Sequence, residues 1–194
     1  MSEPTTPPEP TVPDTQDWTW VLETPCPDCG FDPAAVTPDR IPPIIGEVAE
    51  AFIRAVERPD ASVRPAPRTW STIEYAQHVA DVMEVMTDRL RLILAAGGAD
   101  AAFDDWDQDV AAVEKEYWQA NSHVTAILVK ERAAAAQQAW TEPTGNQWGW
   151  PGVRSNGSVF TTATLGQYLA HDLVHHAHDV GARPAAADRE AQNS

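Results

Sequence analysis

The sequence predicts an all-α protein, a four-helix bundle preceded by an irregular arm rich in proline and tryptophan. Four segments carry apolar residues at the three- and four-residue spacing of a helix that buries one face. No segment shows the alternation of apolar and polar residues that is typical of a half-buried strand. Long connections precede the third and fourth predicted helices, which indicates loops that cross one end of the bundle.

Proline divides the N-terminal part of the chain into two predicted regions. Of the 17 prolines, 11 lie in the first 43 residues. The first region has very few apolar side chains that could be buried, so we expect a disordered leader. The second adds tryptophans and cysteines, and we expect an irregular arm that lays its aromatic side chains on the core. The predicted boundaries are 1–16 for the leader, 17–37 for the arm, 38–183 for the bundle and 184–194 for a polar C-terminal tail.

Capping residues mark the first two predicted helices. The first is expected to begin near Pro38, which follows a threonine cap, and to stop before Pro59. The second begins at a capping box formed by Ser71 and Glu74 and ends at the glycine pair 97–98.

The third and fourth predicted helices are separated by a long loop. The loop, residues 141–160, carries three large aromatic residues, which favours an ordered loop. The fourth helix is expected from Thr161 to Gly181. The third is expected to run from the acidic segment 99–109 to about Trp140, with one apolar face formed by Val110, Val113, Tyr117, Val124, Ile127 and Leu128.

Charge narrows the classes of partner. With 13 Lys and Arg against 29 Asp and Glu, the 194-residue chain carries a formal charge of −16. This charge repels phosphate backbones and anionic lipid surfaces, so we expect neither a nucleic acid nor a membrane as partner. The start of the sequence has no basic segment followed by an apolar one, which predicts a cytoplasmic location. We expect a monomer or homodimer that binds a small-molecule substrate.

Histidines provide the main functional signal. Four of the six lie between residues 171 and 178. His171 and His175 are one helical turn apart, so both imidazoles can reach one ion. His78, at the border of the second helix's apolar face, is the predicted third ligand, and His123 is expected to be structural. A histidine pair at this spacing also arises by chance, and His176 and His178 are expected to be a core residue and a solvent-edge residue.

Two segments together resemble a known family. WSTIEYAQHVAD (residues 70–81) and YLAHDLVHH (residues 168–176) are similar to the histidine motifs of the DinB/YfiT-like superfamily. That superfamily includes the metal-binding domain of mycothiol-dependent maleylpyruvate isomerases. The resemblance implies a DinB-like bundle in which His78, His171 and His175 hold zinc, nickel, manganese or iron. It also implies a thiol-dependent S-transferase or isomerase that uses a low-molecular-weight thiol such as mycothiol, or alternatively a hydrolase.

Other side chains are candidates to support such a site. Acids next to the histidines would orient the imidazoles, although each is also a candidate for an ordinary solvated charge. An arginine in the loop would hold an anionic substrate or form a surface ion pair, and the loop tryptophans would form a lid or pack in the core. The candidates are Glu74, Asp81, Asp172 and Asp179 around the metal, and Arg154, Tyr168, Trp148 and Trp150 around the substrate.

Two alternatives stay open. The first is a non-catalytic binding module with a structural or absent metal, which a fourth protein ligand closing the site would favour. The second concerns Cys26 and Cys29, for which two reduced thiols in a tight turn are preferred. A redox pair is disfavoured by Asp28 and Asp32, which raise thiol pKa values, and half of a zinc knuckle would need two further ligands.

Overall fold

The computed structural model describes residues 8–12 and 16–182, and within them the chain is mainly helical. The helices are α1 (Ile41–Ala55), α2 (Thr72–Ala95), α3 (Gln108–Glu114), α4 (Ser122–Ala139) and α5 (Thr162–Asp179). The four long helices pack in the cyclic order α1, α4, α2, α5, so that each contacts two neighbours and the predicted bundle is confirmed. Within the described residues, no helix has the length and apolar character needed to cross a membrane.

The starts of α2 and α5 agree with the sequence prediction, but α1 begins at Ile41, three residues after the predicted Pro38. Ser71 and Glu74 form the predicted capping box at the start of α2. Thr161 caps α5 by accepting a hydrogen bond from the Thr164 amide. A short 3-10 turn, Pro38–Arg40, precedes α1. These local signals fix where α2 and α5 begin, and these are the helices that carry the histidines of the candidate site.

The predicted third helix is wrong in its continuity. Glu116 adopts the left-handed backbone conformation (φ 50°) between α3 and a 3-10 turn, and Asn121 caps a new helix, α4. The break turns Tyr117 inward, where it is 1% exposed and its hydroxyl donates to Asp81. A continuous helix would not allow this inward turn, because Tyr117 would have to keep the phase set by α3.

The apolar face predicted for this region is also wrong. Val110, Val113, Val124 and Ile127 are exposed, by 45% to 61% of their surface. The buried face of α4 instead carries small residues beside Thr125 and Val129. These small residues are Ala133, Ala136 and Ala139. Because their side chains are short, α1 and α2 can approach α4 closely.

A small sheet, absent from the prediction, closes one end of the bundle. Its strands are β1 (Ala101–Phe103), β2 (Pro151–Arg154) and β3 (Val159–Thr161). They lie in the order β1-β2-β3, with β1 parallel and β3 antiparallel to β2. Strands of three or four residues are too short to show alternation, so the sequence signal was missing.

The arm is irregular, as expected, and packs on α5. Its 3-10 turns are Trp18–Leu22 and Pro33–Ala35, and Val21 is fully buried. The Gln167 side chain on α5 donates hydrogen bonds to the backbone oxygens of Pro33 and Val36, at 3.1 and 3.0 Å. The arm is therefore attached to the helix that carries the histidine cluster.

The leader and tail predictions fall largely outside the described residues. Residues 1–7, 13–15 and 183–194 are not among them. Within the described part, the Thr11 hydroxyl donates to Asp109 at 2.9 Å and Arg64 donates to the Glu9 backbone oxygen at 2.6 Å. Residues 8–12 therefore run past the start of α2 and the start of α3.

Gly166 is a point of close approach between α5 and α1. A β-carbon there would collide with the Ile41 side chain and lie 2.8 Å from Trp140 Cζ3. We expect Gly166→Ala to lower the free energy of unfolding by about 1–2 kcal/mol, since overpacking outweighs the better helix propensity of alanine. Urea denaturation measures it. Gly149→Ala is the matched control, because nothing lies within 4 Å of its β-carbon; equal stabilities of the two variants would contradict the packing argument.

Candidate metal centre

An open cleft of about 860 Å³ lies where the arm, the start of α2, the β1–α3 segment and α5 meet. Trp18, Trp70 and Trp106 line it on three sides. On α5, both His171 with His175 and Asp172 with His176 are among the residues that line it. Aromatic walls around a polar surface are typical of a small-molecule site.

Helix α5 carries two pairs of side chains of types that can bind a metal ion, and the pairs are offset by one residue. His171 and His175 form one i, i+4 pair, and Asp172 and His176 form the other. One residue of α-helix corresponds to a rotation of about 100°, so the two pairs point to adjoining sides of α5. Within residues 8–12 and 16–182, two sets of such side chains have all their ligand atoms within 4.8 Å of one another: His78, Asp172 and His176, and Cys26, Cys29, His171 and His175.

The three ligands predicted from the sequence are therefore divided between two groups. His78 lies with Asp172 and His176, which we call the cleft triad. His171 and His175 lie with Cys26 and Cys29, which we call the Cys–His cluster. The reason is helical phase: the side of α5 that faces α2 and His78 carries the pair offset by one residue.

The three residues of the cleft triad lie close together and are largely buried. His78 Nε2 lies 3.4 Å from Asp172 Oδ1, and His176 Nε2 lies 3.7 Å from the same oxygen. His78 is completely buried, and neither of its ring nitrogens, nor Asp172 Oδ1, has a hydrogen-bond partner. Buried polar atoms without partners are rare in folded proteins, so these three atoms need an explanation.

Charge states in the cleft triad suit a cation. Complete burial lowers the pKa of His78, although the Asp172 carboxylate opposes this shift. Burial raises the pKa of Asp172, but the contacts with His78 and His176 outweigh it and leave the pKa at about 2. At neutral pH, His78 is therefore a neutral imidazole and Asp172 a carboxylate, the forms that a metal ion binds.

Asp179 supports His176 from the far side of its ring. Its Oδ2 lies 2.9 Å from His176 Nδ1. A hydrogen bond at Nδ1 places the proton there and leaves Nε2, the atom facing Asp172, as an electron-pair donor. Asp179 thus holds the position expected of a residue that orients a ligating imidazole.

The donor set fits a divalent ion. Bonds of about 2.1 Å at a tetrahedral angle place an oxygen and a nitrogen ligand about 3.4 Å apart. His78 Nε2 and Asp172 Oδ1 are already at this distance, 3.4 Å. Two imidazoles with one carboxylate are ligands that zinc and ferrous iron use in open sites.

The other acids predicted near the metal are occupied elsewhere. Glu74 accepts hydrogen bonds from Arg64, with Arg64 Nε 3.0 and 2.9 Å from its two oxygens, and from the Ser71 amide at 2.8 Å. Asp81 accepts from Lys115 at 2.7 Å and from Tyr117. Both acids therefore stabilise the start of α2 and its contact with the α3–α4 connection.

Two of the predicted substrate residues line the cleft. Arg154, at the end of β2, is 8% exposed, and its Nε and Nη2 each lie 3.0 Å from their acceptors, Asn156 Oδ1 and Ser158 Oγ. Its guanidinium carbon lies 5.8 Å from the centre of the Tyr168 ring. Asp105 Oδ1 lies 3.5 Å from Arg154 Nε, so the surface ion pair weighed as the alternative is also present.

The loop tryptophans lie elsewhere. Trp148 and Trp150 are half-buried and pack against the hydrophobic core, and neither lines the cleft. The aromatic walls come instead from tryptophans outside that loop. Trp106 stacks on His78 with ring centres 5.6 Å apart, and Trp70 lies 5.3 Å from the same ring. Sequence reasoning missed Trp106 because it lies within the acidic segment 99–109, which has no helical periodicity.

The remaining histidines fall at the surface or beside the site. His178 is exposed, as expected, and His123 is exposed at the start of α4. His176, expected in the core, instead lines the cleft. The sequence signal for His176 is the spacing Asp172-x-x-x-His176, which overlaps the pair His171 and His175.

The comparisons with known proteins show the fold. No family model and no curated protein matches the sequence. The structure is similar to YfiT from Bacillus subtilis, described as a probable metal-dependent hydrolase with an unusual four-helix bundle topology. The TM-score is 0.64 at 20% identity, over 74% of this chain and 86% of YfiT.

A second solved structure is similar, the mycothiol-dependent maleylpyruvate isomerase. The TM-score is 0.58 at 12% identity, over 77% of this chain. The match spans 62% of the isomerase, so a large part of that enzyme has no counterpart here. The resemblance drawn from the histidine motifs is thus confirmed in fold: the chain has the DinB/YfiT-like four-helix-bundle fold.

Proposed function

We propose that this chain is a metal-dependent enzyme that holds a divalent ion with His78, Asp172 and His176. The observation that carries the proposal is the cleft triad itself. Buried nitrogen and oxygen atoms without hydrogen-bond partners converge beside a cleft of about 860 Å³. A site built only for packing would not leave these atoms unsatisfied, because each unpaired buried polar group costs about 1–3 kcal/mol.

Three protein ligands favour catalysis over a purely structural role. Catalytic sites commonly use three protein ligands and leave a position open, whereas structural zinc sites are closed by four. A bound divalent ion would lower the pKa of a water molecule or a thiol in the open position. This donor count argues against the alternative of a non-catalytic module.

The surrounding residues have distinct proposed roles. Asp179 holds His176 in the orientation that turns Nε2 toward Asp172. Trp106 and Trp70 cover His78 and exclude water from its ring. Arg154, kept in place by Asn156 and Ser158, binds a negatively charged group of the substrate. Tyr168 and Trp18 provide apolar walls for an unsaturated or aromatic portion.

The reaction we favour is thiol-dependent transfer or isomerisation with a low-molecular-weight thiol. The fold of the mycothiol-dependent isomerase supports this choice. Hydrolysis is the second candidate, because the likeness to YfiT covers 86% of that chain, which is described as a probable metal-dependent hydrolase. A zinc, iron, nickel or manganese ion held by His78, Asp172 and His176 would lower the pKa of a thiol in the first case and of a water molecule in the second.

The test is an activity screen on metal-loaded protein with and without added thiol. We expect turnover of a small anionic electrophile that requires metal, and loss of that turnover in His78→Ala. His123→Ala, an exposed histidine outside the cleft, is the matched control and keeps full activity. Thiol-independent turnover of an ester or amide would support hydrolysis. Full metal binding and activity in His78→Ala would refute the site.

A further inference from the structure

We infer that Cys26, Cys29, His171 and His175 form a second metal site, a structural zinc site that fixes the arm to α5. The four side chains come from two places in the chain, the turn 26–30 and the middle of α5. Their ligand atoms all lie within 4.8 Å of one another. The inference is independent of the proposed activity, since it needs none of the three ligands of the cleft triad.

The ligand types and spacing are those of a closed zinc site. Two cysteines separated by two residues face two histidines separated by three. Two thiolates and two imidazoles satisfy the tetrahedral preference of zinc without a water ligand. The two thiolate charges also neutralise the ion. The cysteine pair alone would be half of a zinc knuckle, and His171 and His175 of the same chain supply the two further ligands.

The distance between a cysteine sulfur and a histidine nitrogen agrees with this geometry. Zinc–sulfur bonds of about 2.3 Å and zinc–nitrogen bonds of about 2.05 Å at a tetrahedral angle place sulfur and nitrogen about 3.6 Å apart. Cys26 Sγ lies 3.6 Å from His175 Nδ1. Both cysteines are free thiols, so no disulfide holds the turn.

The turn that carries the cysteines has the backbone to present both sulfurs to one side. The Gly30 amide donates to the Cys26 carbonyl at 2.9 Å, and the Cys26 amide donates to the Phe31 carbonyl at 2.8 Å. Gly30 has φ +74°, a conformation that other residues adopt only with strain. The sequence CPDCG therefore specifies a tight, ordered turn rather than a flexible pair of thiols.

Aromatic rings pack around part of the cluster, which borders the cleft. Cys26 is 1% exposed, and His171 Nε2 is buried without a hydrogen-bond partner. The Trp18 ring lies 5.6 Å from His171 and 5.1 Å from His175, and the Phe31 ring lies 5.4 Å from His171. His171 and His175 also line the cleft, so the structural role rests on the four protein ligands, which leave no coordination position for a substrate. The same ring contacts place Trp18, one wall of the cleft, against this site.

Metal content of variants tests the inference. Protein purified without a metal-chelating tag and dialysed against zinc should bind about two ions per chain. Cys29→Ser should bind about one and become more sensitive to limited proteolysis within residues 16–40. His178→Ala is the matched control, an exposed histidine on the same helix, and should keep both ions. His78→Ala should also lose one ion but keep the arm protected, which separates failure of this site from failure of the cleft triad.

Cobalt substitution of the wild-type chain tests the same ligands without a mutation. We expect thiolate-to-cobalt charge-transfer absorption in the near ultraviolet, retained in His78→Ala and reduced in Cys29→Ser. A wild-type cobalt protein without that absorption would overturn the inference. So would a Cys26–Cys29 disulfide, detected by mass spectrometry with and without reductant, or a Cys29→Ser variant that keeps both ions.

Discussion

Replacing Asp172 by asparagine is expected to lower the metal affinity of the cleft triad by more than about 100-fold and to abolish the metal-dependent activity. Asp172 is the carboxylate that faces both imidazoles, at 3.4 and 3.7 Å. Substitution of a residue that only orients a ligand costs about 10–100-fold in metal affinity, so loss of a ligand should exceed this range. Asparagine keeps the shape of the side chain and removes the charge, which limits the effect on folding.

Asp179→Asn provides the graded comparison. Asp179 contacts His176 from outside the triad, and its replacement should weaken metal binding by about 10–100-fold while leaving measurable activity at saturating metal. Titration with a competing chelator measures the affinity of both variants, and circular dichroism checks the fold. If Asp172→Asn binds metal as tightly as the wild type, Asp172 is not a ligand and the cleft triad is incorrect.

The site could be predicted from the sequence in part. The crowding of histidines on the last helix and the choice of His78 on the second helix both identify side chains that lie in groups able to hold a metal ion. The sequence could not show which of these side chains lie with His78, because α5 carries two overlapping i, i+4 pairs, His171 with His175 and Asp172 with His176. Which pair faces α2 depends on the rotation of α5 about its axis, and this rotation is set by packing along the whole helix.

The role of the cysteines depends on the path of the arm. Cys26 and His175 are 149 residues apart in the sequence, and no local signal brings them together. What fixes the arm is a set of long-range contacts, including the bonds from Gln167 to Pro33 and Val36. The sequence contains two incomplete metal-binding motifs, the cysteine pair and the histidine pair. Only the fold shows that the two pairs lie together.

The fold was predictable where local chemistry decides it. The capping boxes at Ser71 and Thr161 fix helix starts, since they satisfy backbone amides locally. The break at Glu116 was not predictable in this way. It is stabilised by burial of Tyr117 and its bond to Asp81, 36 residues away, and this gain offsets the cost of a left-handed backbone.

Arg64→Ala is expected to lower the free energy of unfolding by about 3 kcal/mol without changing metal content. Arg64 pairs with Glu74, whose side chain is 2% exposed, and its removal leaves a buried carboxylate without its cation. Arg64 also holds the leader through the Glu9 backbone oxygen. The figure is the low end of the range for buried pairs, because the Arg64 side chain is itself 15% exposed.

Arg132→Ala is the matched control for this ion pair. Arg132 pairs with Glu84, which like Glu74 lies on α2, but both side chains are more than one-third exposed, at 37% and 35%. Water screens such a pair, so its loss should cost less than about 1 kcal/mol. Urea denaturation gives both values, and elemental analysis gives the metal content. If Arg64→Ala lost the cleft ion while Arg132→Ala kept it, Glu74 would contribute to the metal site and not only to the start of α2. Equal stabilities of the two variants would mean that solvent reaches Glu74 despite its burial.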